Sequence, residues 1–189
     1  MLTTLDQIKG DILHRLQAGA ASRRSAMHTP VVVTSDADAR VMVLRAFDPV
    51  TQIARFHTDS RAPKVALIRQ SPALGILFYD RDEKVQIRCR GQGEILTSGA
   101  LVDEAWKAST PFARRCYLGE APGEEASGPT SGLPEQYEGV EPSEADLVGA
   151  RANFAVLQIS ITSFDWFQLA QTGHRRAVFD CAGARWMTP

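Results

Sequence analysis

Short runs in which apolar and polar residues alternate dominate the chain, and turn residues separate them. Val31 to Thr34, Arg40 to Arg45, Ile53 to His57, Val85 to Leu96 and Asn153 to Ile161 all carry the period-two pattern of a strand, and Ala73 to Tyr79 is a nearly continuous apolar run. Ser35 to Asp38, Asp48-Pro49 with Thr51, and Arg81 to Lys84 supply the turns between them. Helical spacing occurs in few places. Leu5, Ile8, Ile12 and Leu16 form one stripe behind a Thr4/Gln7 capping box, with Gly19 as the expected end. Pro63 opens a short helix that stops before Pro72, and Ala100 to Ser109 forms another. Many short strands and few helices predict an antiparallel barrel or sandwich rather than a doubly wound sheet.

Within this pattern the hairpin from Arg40 to Lys64 concentrates polar chemistry. Its first strand begins with Arg40 and ends with Arg45, and its second runs through His57 into Thr58, Asp59, Ser60, Arg61 and Lys64 at the predicted helix start. Cations and hydroxyls beside a helix N-terminus suit a phosphate dianion. A solvated basic hairpin fits the same residues, so periodicity leaves both readings open. In the strand from Val85, the residues Gln86, Arg88 and Arg90 share one face and Val85, Ile87 and Cys89 the other, so one face is free to meet a ligand.

Composition narrows the classes. The 189 residues suffice for one self-supporting domain, 1–189, and 21 Lys+Arg against 22 Asp+Glu give a net charge of -1, which argues against a nucleic-acid or anionic-membrane binder. Neither a signal peptide nor a membrane span is visible, so a cytoplasmic protein is expected. Cys89, Cys116 and Cys181 are far apart and read as reduced packing residues, and the four histidines lack metal-ligand spacing, so no metal is expected. Between Arg115 and Arg151 there is no Lys or Arg but many Glu among Gly, Pro and Ser, which marks residues 118–148 as an acidic, flexible excursion. No Walker loop, dinucleotide fingerprint or nucleophile elbow is present.

An ordered series of segments resembles the pyridoxamine 5'-phosphate oxidase-like, FMN-binding split-barrel family. Arg40-Val41-Met42-Val43-Leu44-Arg45 is similar to its first flavin strand, and Phe56-His57-Thr58-Asp59 with Arg61 and Lys64 to its phosphate segment. Gln86 in QIRCRG is similar to its flavin-contacting glutamine, and Phe167, His174 and Arg176 to its C-terminal aromatic and His-x-Arg positions. The resemblance implies a mainly β fold with flanking helices, a six-stranded antiparallel split barrel, and a homodimer with FMN in a groove shared by two subunits. It further implies that Arg40, Thr58, Arg61 and Lys64 hold the phosphate, that Val41 to Arg45 line the ring, that Gln86 bonds its polar edge, and that Phe167 and Arg176 come from the other subunit.

The sequence departs from the family at three places, one of them Arg45, which stands where the family's first flavin strand closes with a lysine. Pro63 stands where a basic residue precedes the phosphate-segment lysine, and the substrate-phosphate trio of the oxidase falls near Trp106, Thr110 and Arg114. Trp106, Arg114 and His174 are therefore candidates for contact with a different substrate. The expected function is an FMN-dependent oxidoreductase acting on something other than the vitamin phosphate. The alternatives are a non-catalytic flavin-binding or sensing protein, or a haem-binding relative using His57 or His174.

Overall fold

The structure is a computed structural model and describes residues 2–189. Helix α1 (Leu5–Ala21) starts at the expected capping box, with Thr4 accepting from the Gln7 N–H and Gln7 reaching back to the Thr4 N–H. It runs two residues past Gly19. That glycine instead marks a close approach, because a Cβ there would lie 2.8 Å from the Met27 side chain and carbonyl. Ile8, Ile12 and Leu16 are fully buried against the sheet, as their one-face spacing requires.

Among the described residues nine strands form one antiparallel sheet: β1 (Val31–Val33), β2 (Ala39–Val41), β3 (Leu44–Asp48), β4 (Ile53–Asp59), β5 (Ala73–Asp80), β6 (Val85–Leu96), β7 (Phe154–Gln168), β8 (Arg175–Asp180) and β9 (Gly183–Met187). The neighbour order is β2-β1-β5-β6-β7-β4-β3, with β8 and β9 added beside the C-terminal half of β7. The two ends of that path, β2 and β3, are joined by only Met42 and Val43. The sheet therefore curls until its ends meet through one bent strand, which makes six staves when β2 and β3 are counted together.

Arg40 to Arg45, expected as one strand, is divided in the structure. β2 pairs with β1 and β3 with β4, so the run is split at Met42–Val43, where it changes neighbours. Alternation along the chain survives such a bend, because Met42 and Leu44 both still point into the core.

The interior is packed by Phe56, Phe78, Phe164, Trp166, Ile87 and Leu157, all essentially inaccessible. Cys89 joins them, whereas Cys116 and Cys181 are exposed, so only one of the three thiols is a packing residue. β6 shows the expected faces, with Val85, Ile87 and Cys89 buried and Arg88 and Arg90 exposed. Outside the barrel a second cluster gathers Val102, Trp106, Tyr117, Leu147, Phe154 and Val156. It explains why the first four residues of β7 are all buried: Leu157 faces the barrel core while Phe154 and Val156 face a helical layer. That layer comprises α3 (Ala100–Ala108), α4 (Pro111–Arg114) and a 3-10 turn at Arg115–Leu118.

The acidic segment contains 3-10 turns at Glu135–Tyr137 and Asp146–Asn153. Its contacts include a Glu120 N–H to Gly132 carbonyl bond of 2.8 Å, buried Leu147, and Gly123 against the ring of Pro63. Among the described residues no helix is long and apolar enough to cross a membrane.

Candidate functional site

The outward face of β4 carries Arg55, His57 and Asp59, since Ala54, Phe56 and Thr58 point inward. Between this face, the β2–β3 bend and the helical layer lies a groove with two lobes. The first, of about 430 Å³, is lined by Arg40, Val41, Met42, Val43, Arg45, His57, Thr58, Asp59 and Lys64 on one side and by Ser109, Ala113, Cys116, Tyr117 and Pro122 on the other. The second, of about 630 Å³, shares Arg45, His57, Ser109 and Ala113 with it and extends toward the end of α1. Both volumes fall in the range of small-molecule sites.

The first lobe is built for an anion at one end. Helix α2 (Pro63–Gln70) opens there with Pro63 in its first turn and no side-chain cap on its N-terminus. Lys64, in the first turn of α2, is half-buried and makes no ion pair or hydrogen bond among the described residues. Burial, and then the charge of Arg40, hold its ammonium pKa below the ordinary lysine value, against the opposing pull of Asp59 and Asp38. Arg40 is held by Thr34, whose hydroxyl accepts from both of its terminal nitrogens at 3.2 Å, and by an ion pair with Asp38. Arg45 is exposed and unpaired among the described residues. At the strand break, the Val43 N–H makes no hydrogen bond among the described residues, whereas Met42 N–H donates to the Pro30 carbonyl. A backbone donor without an acceptor at the floor of a cleft is a contact point for a ligand's polar edge.

His57 stands where the lobes meet, edge-on to Phe154 at 4.9 Å between ring centroids. Burial, and then the charge of Arg45, bring its pKa down to about 4, so the ring is neutral at pH 7.

Not every residue singled out from the sequence enters the groove. Leu44, fully buried, borders the second lobe but not the first. Arg61 is turned away from the cleft lining: its guanidinium spans both Asp59 oxygens at 3.0 and 2.7 Å and reaches the Gly119 carbonyl at 3.1 Å. It ties the start of the acidic segment to the end of β4. Trp106 and Arg114 pack together in the second cluster, with the guanidinium 5.1 Å from the indole centroid and clamped by Glu144, so neither lines a lobe. His174 lies exposed in the β7–β8 loop, where its Nδ1 accepts from the Ala170 N–H.

Gln86, Phe167 and Arg176 form a different constellation. Gln86 is the cross-strand partner of Phe167, and Phe167 of Arg176, so the three stand in one row on the outer face of β6, β7 and β8. Gln86 and Arg176 line a depression of about 540 Å³ that shares no lining residue with the groove. Arg176 is set by Asp165, which accepts at 3.0 and 2.8 Å and also pairs with Arg88. Burial pushes the Asp165 carboxyl up, but the Arg176 bond and the charges of Arg88 and Arg176 outweigh it and hold the pKa below the ordinary value.

Sequence reasoning missed the opposite wall, with Ser109 and Ala113 from the α3–α4 region, Cys116 from the 3-10 turn and Pro122 from the acidic segment. These small residues carry no chemical signature, and only the path of the helical layer over β4 brings them there. Among the described residues no three His, Cys, Asp or Glu side chains converge as metal ligands.

The curled six-stave barrel with an outer helical layer defines a split-barrel fold. Residues 14–97, from α1 to the end of β6, match the family described as Pyridoxamine 5'-phosphate oxidase, FMN-binding domain. That match, over 84 of the 189 residues, supports a resemblance to pyridoxamine 5'-phosphate oxidase-like chains, with FMN as the cofactor. Among solved structures, a pyridoxamine 5'-phosphate oxidase-related, FMN binding protein from Nostoc punctiforme PCC 73102 superposes with a TM-score of 0.72 at 22% identity, each chain covered in full. PhzG from Burkholderia lata 383, solved in complex with tetrahydrophenazine-1-carboxylic acid, superposes with a TM-score of 0.70 at 16% identity, covering 100% of this chain and 98% of that one. The general stress FMN/FAD binding protein from Xanthomonas citri gives 0.55 at 14% identity, covering 88% and 92%. At these identities the likeness is one of fold. A comparison with curated proteins found no significant match.

Proposed function

We propose that the chain is an FMN-dependent oxidoreductase that works as a homodimer, with each flavin held between the groove of one subunit and the Gln86, Phe167 and Arg176 row of the other. The observation that carries this is the division of the site. The cations and free backbone donor lie in the groove, while the row of Gln86, Phe167 and Arg176, which the family resemblance brings to the flavin, stands on a separate face with no lining residue in common. One chain offers two half-sites, and two chains related by a two-fold axis can bring unlike halves together twice. In this reading Gln86 goes with Phe167 and Arg176, because cross-strand register binds the three into one surface.

The residues fit the group. Lys64, Arg40 and the uncapped start of α2 would hold a phosphate carrying about -1.5 to -2 charge, each charge-assisted contact contributing about 1.5–3 kcal/mol. The Val43 N–H and the backbone of Val41 and Met42 would meet the ring, and Arg61 would act at one remove by fixing Asp59 and the rim at Gly119. When bound, FMN supplies the electron transfer, and the chain supplies binding, orientation and exclusion of water. Neutral His57 can donate or accept one hydrogen bond at the junction of the lobes without adding charge there.

The absorption spectrum of the purified protein tests the cofactor, and anaerobic bleaching by a reduced nicotinamide or a reduced substrate, followed by re-oxidation in air, tests the activity. Flavin bands with turnover are expected. A protein that takes up no FMN would end the reading, and one that holds FMN but is bleached by no physiological reductant would make it a binding protein.

A further inference from the structure

The second lobe has an order of its own. Its α3 wall is Leu101, Ala105 and Ala108, and the strands behind it add further apolar surface, whereas Arg45, Arg55 and Arg23 bring guanidinium groups from β3, β4 and the end of α1. None of these three guanidinium groups makes a hydrogen bond or ion pair among the described residues, although the charge of Arg55 is felt by Asp48, and Arg15, Arg61, Arg114, Arg151, Arg176 and others each hold a carboxylate. A solvated arginine needs no partner, but three from three elements around one concavity form a focused positive field over an apolar floor. Glu104 is the single carboxylate among the lining residues, His57 is neutral and His28 Nδ1 donates to the Gly19 carbonyl at 2.7 Å, so the Arg and Glu side chains alone give the lobe a formal charge of about +2.

We propose that this lobe is the substrate subsite and that it takes an apolar molecule bearing one carboxylate. The proposal rests on the FMN reading of the adjoining lobe, since the shared Arg45, His57, Ser109 and Ala113 put such a molecule next to the cofactor. The apolar body lies against Leu101, Ala105 and Ala108, where a polar one would lose hydration without gaining partners. The carboxylate meets Arg55 and Arg23, whose planar forks match its geometry. Glu104 offsets one of the three guanidinium charges, and the remaining excess still attracts an anion.

The probe is 1-naphthoate, compared with 1-naphthamide, by isothermal titration calorimetry and by the perturbation of the flavin bands in the FMN-loaded protein. Naphthoate is expected to bind about tenfold or more tighter than the amide and to shift the flavin bands. Arg55→Gln with Arg23→Gln is expected to abolish that preference, and Ala108→Trp to block both compounds by bulk, while FMN affinity stays within about twofold in each variant because none of these positions lines the first lobe. Equal binding of the amide, or naphthoate binding that survives both changes, overturns the subsite. Should the protein take up no FMN, the functional reading fails on its own, and calorimetry on the flavin-free chain still decides the lobe by the same preferences.

Discussion

Lys64→Met separates folding from function in the first lobe, because the two effects have opposite signs. In the free protein the ammonium is half-buried at the start of α2, faces Arg40 and has no carboxylate partner among the described residues, and its pKa is lowered accordingly. A lysine whose folded pKa lies below its unfolded value costs stability at neutral pH, since the unfolded chain holds that proton more tightly. Methionine keeps the apolar stem and removes the charge, so the flavin-free variant is expected to melt at a higher temperature than the wild type. FMN binding moves the other way. Loss of one charge-assisted contact to the phosphate is about 1.5–3 kcal/mol, which weakens the dissociation constant about 10- to 150-fold. Calorimetric melting of the flavin-free protein and quenching of flavin fluorescence on titration give the two numbers. A variant that melts lower and binds FMN as tightly as before would mean that Lys64 is a structural residue, and the phosphate assignment would fall.

Further outcomes follow from neighbouring contacts. Asp38→Asn releases Arg40 from an exposed ion pair, and a surface pair is worth about 0.2–1 kcal/mol, so FMN should bind up to about fivefold tighter in a fluorescence titration; weaker binding would show that Asp38 aims Arg40 rather than competing for it. His57 has a folded pKa near 4 against 6.5 unfolded, so its contribution is complete above the unfolded value and is lost as pH falls through that window, at most about 3 kcal/mol; urea unfolding should show this loss in the wild type and not in His57→Gln, and parallel curves would refute it. Trp166 is fully buried and its Nε1 has no partner among the described residues, so Trp166→Phe discards an unsatisfied donor along with volume and should cost under about 2 kcal/mol, against about 3–5 for Trp166→Ala; equal losses in denaturant titration would contradict this.

Much of the barrel was legible because its strands are long enough to show period two and its turns carry their usual residues. The positive φ of Ala37 and Lys84 falls inside the two turns read from Ser35 to Asp38 and Arg81 to Lys84. The split at Met42–Val43 was not legible, since a bend that keeps Met42 and Leu44 facing inward leaves the pattern untouched. In the site, Arg40 and Lys64 were legible as cations beside a helix start. Whether an arginine faces a ligand or a carboxylate is settled by distant residues: Asp59 and the Gly119 carbonyl claim Arg61, and Glu144 claims Arg114. The grouping of Gln86 with Phe167 and Arg176 depends on the register of three strands separated by up to ninety residues of chain, which no local pattern carries.

The central claim is that each flavin site is assembled from unlike halves of two chains, and subunit mixing tests it most directly. One variant, Arg40→Ala with Lys64→Ala, lacks the groove half, and another, Gln86→Ala with Arg176→Ala, lacks the row. Each alone should retain no FMN. Unfolded and refolded together in equal amounts, they form mixed dimers in about half of the population, each with one native site, so FMN should return to about one per four chains. Recovery of that flavin confirms the shared site; a mixture as empty as its parents, or a row variant that binds FMN as the wild type does, contradicts it.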